Sequence, residues 1–182
     1  MDLVRNAVDL TGSSVDLLYH FSEEPGIQVF EPRTIDSRPG EPPLVWAIDA
    51  AHAPHYFFPR DCPRVCFWST DDTAQEDRRR FFGHSAVMHV IAMESRWLER
   101  IRSTTVYRYS FRPGPFLLQD GNAGYYTSFQ AVQPAKVEPV GDLLGALVAS
   151  GIELRLTPSL IPLRQAIIGS TLGFSMIRMR NL

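Results

Sequence analysis

The chain has 182 residues, 45% hydrophobic and 21% charged, the balance of a folded globular protein and not of a disordered or fibrous one. A formal charge of -2 gives no net positive field to hold a phosphate backbone, so nucleic acid is not expected as the main partner. The absence of an 18-residue apolar run, of a basic-then-apolar start and of more than two cysteines argues against a membrane span, a signal peptide and a disulfide framework, and points to the cytoplasm.

One hydrophobic core is the default at this length, so the sequence reads as a single domain over 1–182, a lead-in over 1–14 followed by a core over 15–182. Val15 to Phe21 is short, apolar and rich in strand formers, and predicts the first strand. Ile27 to Phe30 predicts an extended piece, and the proline-rich stretch Thr34 to Pro43 a loop. Leu44 to Ile48 is a second strand, after which Asp49 is placed to cap a short helix over Ala50 to Phe58. Pro59 to Pro63 breaks that helix, and Arg64 to Trp68 resumes strand character.

Asp71 to Arg80 is a charged helix or loop, Ser85 to Met93 carries both strand and helix signals, and Ser95 to Arg102 reads as helix. Strands follow at Val106 to Phe111, Tyr125 to Val132 and Val137 to Val140. Asp142 predicts the cap of a helix to Ser150 that Gly151 ends, and Ile152 to Leu156 a late strand. Pro158 to Leu172 predicts a last helix, with Pro162 in its first turn and Gly173 as its stop. Elements alternate irregularly and no glycine-rich phosphate loop follows any strand, which excludes Rossmann and P-loop readings and leaves an α+β sheet core.

Three patterns occur in a fixed order: Leu18-Tyr19-His20-Phe21-Ser22, then Val45-Trp46-Ala47-Ile48-Asp49 running into His55-Tyr56-Phe57, then Tyr126-Thr127-Ser128-Phe129-Gln130. This order resembles the His, Tyr, Glu signature of ADP-ribosyltransferase-like proteins of the diphtheria-toxin and poly(ADP-ribose) polymerase type, over roughly residues 17 to 140. The resemblance implies a central mixed or antiparallel split sheet with short flanking helices, and NAD as substrate or ligand in a cleft between His20, Tyr56 and Gln130. It implies that His20 meets the adenosine ribose, that Ser22 keeps a hydroxyl beside it, and that Tyr56 stacks on the nicotinamide. Trp46 is suited to a second aromatic wall, and the planar forks of Arg60 and Arg64 to a pyrophosphate.

Two positions depart from the family's pattern. Phe21 stands where a glycine is usual, which leaves less room beside the backbone. Gln130 stands where a catalytic glutamate is usual, and an amide can orient a ribose hydroxyl but carries no charge to stabilise a ribosyl cation.

The expected function is therefore an NAD-binding ADP-ribosyltransferase-like protein acting on an acceptor that the sequence does not identify. The alternative is a ligand-binding or interaction module that kept the fold without turnover. A third reading is a zinc-stabilised domain, because His52, His55, Cys62 and Cys66 are nitrogen and sulfur donors close in sequence. Their spacing matches no closed zinc site, so no metal is expected. Cys66, between Val65 and Phe67, reads as buried and inert. Lys136 is the only lysine, and the arginine excess reads as the composition of a GC-rich bacterial genome.

Overall fold

A computed structural model describes residues 17–34, 40 and 42–182. The lead-in over 1–14, the first two residues of the expected strand at Val15, and most of the Thr34 to Pro43 loop lie outside the described residues. The elements in chain order are β1 Leu18–Ser22, β2 Val45–Ile48, a 3-10 turn Ala53–Tyr56, β3 Arg64–Trp68, α1 Gln75–Phe82, β4 His89–Glu94, a 3-10 turn Ser95–Trp97 leading into α2 Leu98–Ser103, and β5 Tyr107–Phe111. Then come β6 Leu117–Asp120, β7 Tyr125–Ser128, β8 Lys136–Pro139, α3 Leu143–Ala149, β9 Glu153–Thr157, α4 Ile161–Ile168, β10 Gly173–Ile177 and a 3-10 turn Met179–Asn181. The class is α+β. The chain divides into two compact units: Met1–Ala53 with Tyr107–Pro139, and Pro54–Val106 with Val140–Leu182.

The first unit is a six-stranded sheet in the order β6-β7-β2-β1-β5-β8, with every pairing antiparallel. Side chains alternate between the faces of a strand, and one face carries Leu18, Val45, Ala47, Tyr109, Phe111 and Tyr126 into a core closed by Phe30, Phe116 and Val132. Phe30 sits edge-on to Tyr109 and Phe111, with ring centroids 5.0 and 5.1 Å apart. Its segment is held by reciprocal backbone bonds between Phe30 and Val132 of 2.8 and 3.0 Å. The wholly buried Tyr109 hydroxyl donates to Glu24 O at 2.5 Å and accepts from Ile27 N at 3.1 Å, so this buried polar atom is satisfied in both roles while it anchors the same segment.

β6 has no counterpart in the expected elements. Its four residues are all exposed, so no apolar alternation marks it. It is fixed instead by the hairpin that follows, in which Asp120 Oδ1 accepts from the backbone amides of Asn122 and Ala123.

At the opposite edge, Arg108 of β5 and Lys136 of β8 both donate to Glu138. These bonds, Arg108 first, hold the Glu138 carboxyl down to about 2 against an ordinary value of 4.5. A carboxyl whose pKa is depressed in the folded state adds stability above its unfolded value, and loses it as pH falls from 4.5 towards 2. The carboxylate is a quarter exposed, so water screens the gain. Glu138→Gln is expected to be less stable than wild type in urea at pH 6, with the gap closing near pH 2; a gap that persists there assigns the loss to packing.

The second unit is a four-stranded sheet in the order β10-β3-β4-β9, antiparallel except for the parallel β4–β9 pair. β3 and β4 are its inner strands, and their nearly unbroken apolar runs reflect burial on both faces. Val65, Phe67, Val90 and Ala92 pack with Phe81 and Phe82 of α1 and with Leu160, Ile167 and Leu172 around α4.

The expected helix over Pro158 to Leu172 is shorter here, because it starts at Ile161 with Pro162 in its first turn and ends at Ile168. Ser170 closes that end by donating from its hydroxyl to Ile167 O at 2.7 Å. Gly173 does not stop the helix but opens β10, where a side chain would collide with Trp68, 2.4 Å from the nearest ring atom. The expected helix over Ala50 to Phe58 is reduced to the 3-10 turn Ala53–Tyr56, consistent with the conformational limits of Pro54 and Pro59.

α3 follows its sequence signals. Asp142 Oδ1 accepts from Leu144 N at 3.1 Å, and Gly151, just beyond the last turn, takes φ +71. Asp142→Ala is expected to cost about 1 kcal/mol and Asp142→Asn only a few tenths; equal losses in thermal unfolding would remove the cap from the account.

Candidate functional site

The three sequence patterns lie on three neighbouring strands of the first unit. β7, β2 and β1 are adjacent in that order, so segments separated by about a hundred residues stand side by side. His20 is half-buried in the middle of β1, and its Nδ1 lies 2.9 Å from the carbonyl oxygen of Trp46 on β2. A carbonyl only accepts, so Nδ1 carries the proton and donates, and in the neutral ring Nε2 is the acceptor nitrogen. The tautomer is thus set by the neighbouring backbone.

Strand alternation sorts the other candidates. His20 and Ser22 share the core face with Leu18, two and four residues before them, and the His20 ring lies 4.8 Å from the Phe30 ring. Trp46 lies between Val45 and Ala47, both of which point into that core, so its side chain leaves the opposite face. There it meets Tyr125 edge-on at 5.8 Å. His20 and Trp46 are therefore joined through a backbone carbonyl while their rings are on opposite sides of the sheet. The aromatic ring beside His20 is Phe30, which sequence reasoning left as part of an extended segment.

Ser22 Oγ accepts from Glu24 N at 3.1 Å and serves the turn after β1. Ser128, last in β7, alternates onto the same face as Tyr126 and locks the bend that follows: its hydroxyl donates to Gln130 O and accepts from Gln130 N. The expected strand over Tyr125 to Val132 ends at this bend, and Gln130 is exposed just beyond it.

The loop after β2 is also built tightly. Asp49 Oδ1 accepts from His52 N and from His52 Nδ1, each at 2.8 Å, and Asp49 N donates to Gly124 O at 3.0 Å. Gly124 takes φ +71, and a Cβ there would fall 2.2 Å from His52 Nδ1. Asp49 thus caps the turn as its sequence position suggests, and it orients an imidazole as well.

Tyr56 and Arg60 belong to the second unit. Tyr56 is half-buried at the end of its 3-10 turn, with the Arg64 guanidinium 5.3 Å from its ring centre. Arg60 is exposed on the next turn, and its carbonyl accepts from Arg178 Nε at 3.1 Å. Beside them lies a polar cluster that the sequence reading missed. His55, wholly buried and stacked on Trp68 at 5.3 Å, has its Nε2 2.8 Å from Nε2 of His89. Two fully protonated rings offer no acceptor to each other, so this bond requires at least one neutral imidazole. The only sequence signal for it was a histidine opening the apolar run of β4.

The donors considered for zinc are each committed elsewhere. His52 is bound to Asp49, His55 faces His89, and among the described residues no three His, Cys, Asp or Glu side chains gather where they could hold a metal ion. Burial pushes the Cys62 and Cys66 thiols up to about 12 each, the nearby Arg64 opposing it only in part, so neither supplies a thiolate near neutral pH. No helix among the described residues is long and apolar enough to cross a membrane.

The profile described as "Family of unknown function (DUF6886)" matches residues 19–182. The chain belongs to this family. No curated protein and no solved structure matches it. The DUF6886 match begins within β1 and takes in both units, so it includes every residue discussed above from Tyr19 onward.

Proposed function

We propose that this chain is an ADP-ribosyltransferase-like protein that binds NAD, or another nucleotide containing ADP-ribose, at the half-buried His20 of its first unit. The observation that carries this reading is the adjacency of β7, β2 and β1 with His20 held through Nδ1 by the Trp46 carbonyl. That bond sets the tautomer in which Nε2 is an acceptor nitrogen, the kind of atom a ribose hydroxyl donates to. A wholly antiparallel sheet and a mixed one, with short helices, suit the same fold family. A cytoplasmic location belongs to this reading, as does an acceptor still to be identified.

In such a reaction the nicotinamide–ribose bond breaks, nicotinamide leaves with the bonding electrons, and the ribose carbon takes positive charge until an acceptor attacks. A carboxylate about 4 Å away would stabilise that charge by on the order of 4 kcal/mol at an effective dielectric of 20. Gln130 supplies only an amide dipole, and its exposure weakens even that. Gln130 therefore favours a second reading, a nucleotide-binding module without turnover.

Nicotinamide release from NAD separates the two. In the transferase reading the wild type releases nicotinamide slowly, and Gln130→Glu raises the rate at least tenfold, a value well below the Coulomb limit because the position is solvated. Binding without release in both proteins supports the module. Absence of binding at millimolar NAD would remove both.

A further inference from the structure

His55 and His89 meet inside the second unit in a geometry that suits a shared proton better than a metal ion. Their Nε2 atoms are 2.8 Å apart, and the ring planes stand at 81°. The ring centroids are 5.0 Å apart, close to the Nε2–Nε2 distance plus one ring radius from each imidazole, so the two nitrogens are aimed head on at each other. A chelating pair instead points both lone pairs at a third position, beside the line that joins them. Head-on aim suits one proton between two nitrogens, whether the pair is neutral or carries a single charge. With a second proton both nitrogens become donors, and the bond between them is lost.

The pair sits at the end of a strand ladder. His89 opens β4, Trp68 closes β3 and Gly173 opens β10, and Trp68 stands across from both of the others in register. The Trp68 indole touches both imidazoles, stacked on His55 at 5.3 Å and tilted against His89 at 5.4 Å. His55 is wholly buried while His89 and Trp68 are half-buried, so His89 is the ring nearer solvent. The charges around the pair do not favour a second proton. On β3, the buried Arg64 donates through Nε to the His55 carbonyl at 2.6 Å, and burial pushes the Cys66 thiol up to about 12, which keeps it neutral. The turn carries Tyr56, with the Arg64 guanidinium 5.3 Å from its ring centre. β10 has no ionisable side chain, and the other ionisable group of β4 is Glu94 at its far end, bonded to Arg96. Glu153 of β9, across from Val90, is bonded to Arg155 at 2.7 Å. The flanking segments bring His84, Asp71 and Asp72, all exposed and so screened by water.

We propose that His55 and His89 form an acid-sensitive latch: one proton between them holds the Trp68–His89 end of this sheet closed, and uptake of a second opens it as His89 turns outward. The buried His55 gains a charge that its surroundings do not compensate, so the folded pair resists the second proton. In the unfolded chain each imidazole takes its proton near about 6.5. Groups that bind a proton less readily when folded cost stability as pH falls through that unfolded value, which fixes the direction of the switch. These side chains belong to the second unit, and NAD has no part in the latch.

Nitrogen NMR of the histidines in the full chain, followed from about pH 8 to 4.5 without ligand, tests the latch. One Nε2-bound proton is expected between the two rings at the start, and then a second step that His55 and His89 report together at the same pH. The Trp68 indole signal, assigned by its loss in Trp68→Phe, is expected to move with that second step. His89→Gln puts an amide close to where Nε2 was, so it keeps a hydrogen-bonding group against His55 without a titrating ring, and it should remove the acid shift of Trp68. Between pH 7 and 5 the wild-type unfolding constant in urea is expected to rise about fivefold more than that of His89→Gln. Separate, unlinked titrations of His55 and His89, or a Trp68 signal that stays fixed while both rings become charged, overturn the latch. So does an acid shift of Trp68 that survives His89→Gln; if that variant does not fold, the wild-type titration decides alone.

Discussion

Gly124→Ala is expected to destabilise the protein by about 2–4 kcal/mol, a large fraction of the stability of a protein this size. Two effects combine. An alanine at φ +71 carries left-handed backbone strain of about 1 kcal/mol. Its Cβ would also stand 2.2 Å from His52 Nδ1, 2.6 Å from Asp49 Oδ2 and 2.7 Å from His52 Cγ, so the imidazole must leave its bond to Asp49. The second effect can be separated from the first. In His52→Ala the two imidazole contacts are removed and Asp49, no longer bonded to the ring, is the one close neighbour left to shift, so adding Gly124→Ala should then cost less than in the wild type, nearer the backbone strain of about 1 kcal/mol. Thermal or urea unfolding of the four proteins gives the cycle; strict additivity would show that Gly124 does not make room for the Asp49–His52 pair.

His20→Ala is expected to lower affinity for NAD at least tenfold, or about 1.4 kcal/mol, and to lower fold stability by about 1–2 kcal/mol. The stability loss arises because the Trp46 carbonyl loses its donor and the Phe30 ring loses its neighbour. His20→Asn separates the roles: an asparagine amide reaches no further than Nδ1, so it can restore the bond to Trp46 O without replacing Nε2. Stability should therefore largely recover in His20→Asn while NAD affinity stays low. Recovery of both would make His20 a structural residue whose ring never meets a ligand. Loss of neither in His20→Ala would remove it from the site altogether.

The sequence made most of these elements legible where local chemistry and burial agree. β1, β3 and β5 are short and rich in aromatic side chains, and α3 is bracketed by a capping aspartate and a left-handed glycine. β10 was not legible, because Gly173 after an apolar helical run is the usual mark of a helix end, and its strand role comes from pairing with β3, about a hundred residues earlier. β6 was hidden for the opposite reason, being wholly exposed.

The candidate site shows the same division. The order of its three patterns could be read along the chain, and so could the opposite faces of His20 and Trp46, since strand parity alone separates a residue flanked by Val45 and Ala47 from one two places after Leu18. The pairing of β1 with β2 that brings His20 to the Trp46 carbonyl is a long-range fact with no local signal. The same holds for His55 against His89, and for Arg178 against Arg60.

The central claim, that His20 of the first unit meets a bound nucleotide, is tested most directly by nitrogen NMR of the His20 imidazole during titration with NAD. The account predicts a ring protonated at Nδ1 before NAD is added, and a saturable shift at Nε2 below about 1 mM NAD as that nitrogen accepts from a ribose hydroxyl. A His20 ring whose nitrogens do not respond at several millimolar NAD, or which carries its proton on Nε2 throughout, would contradict it.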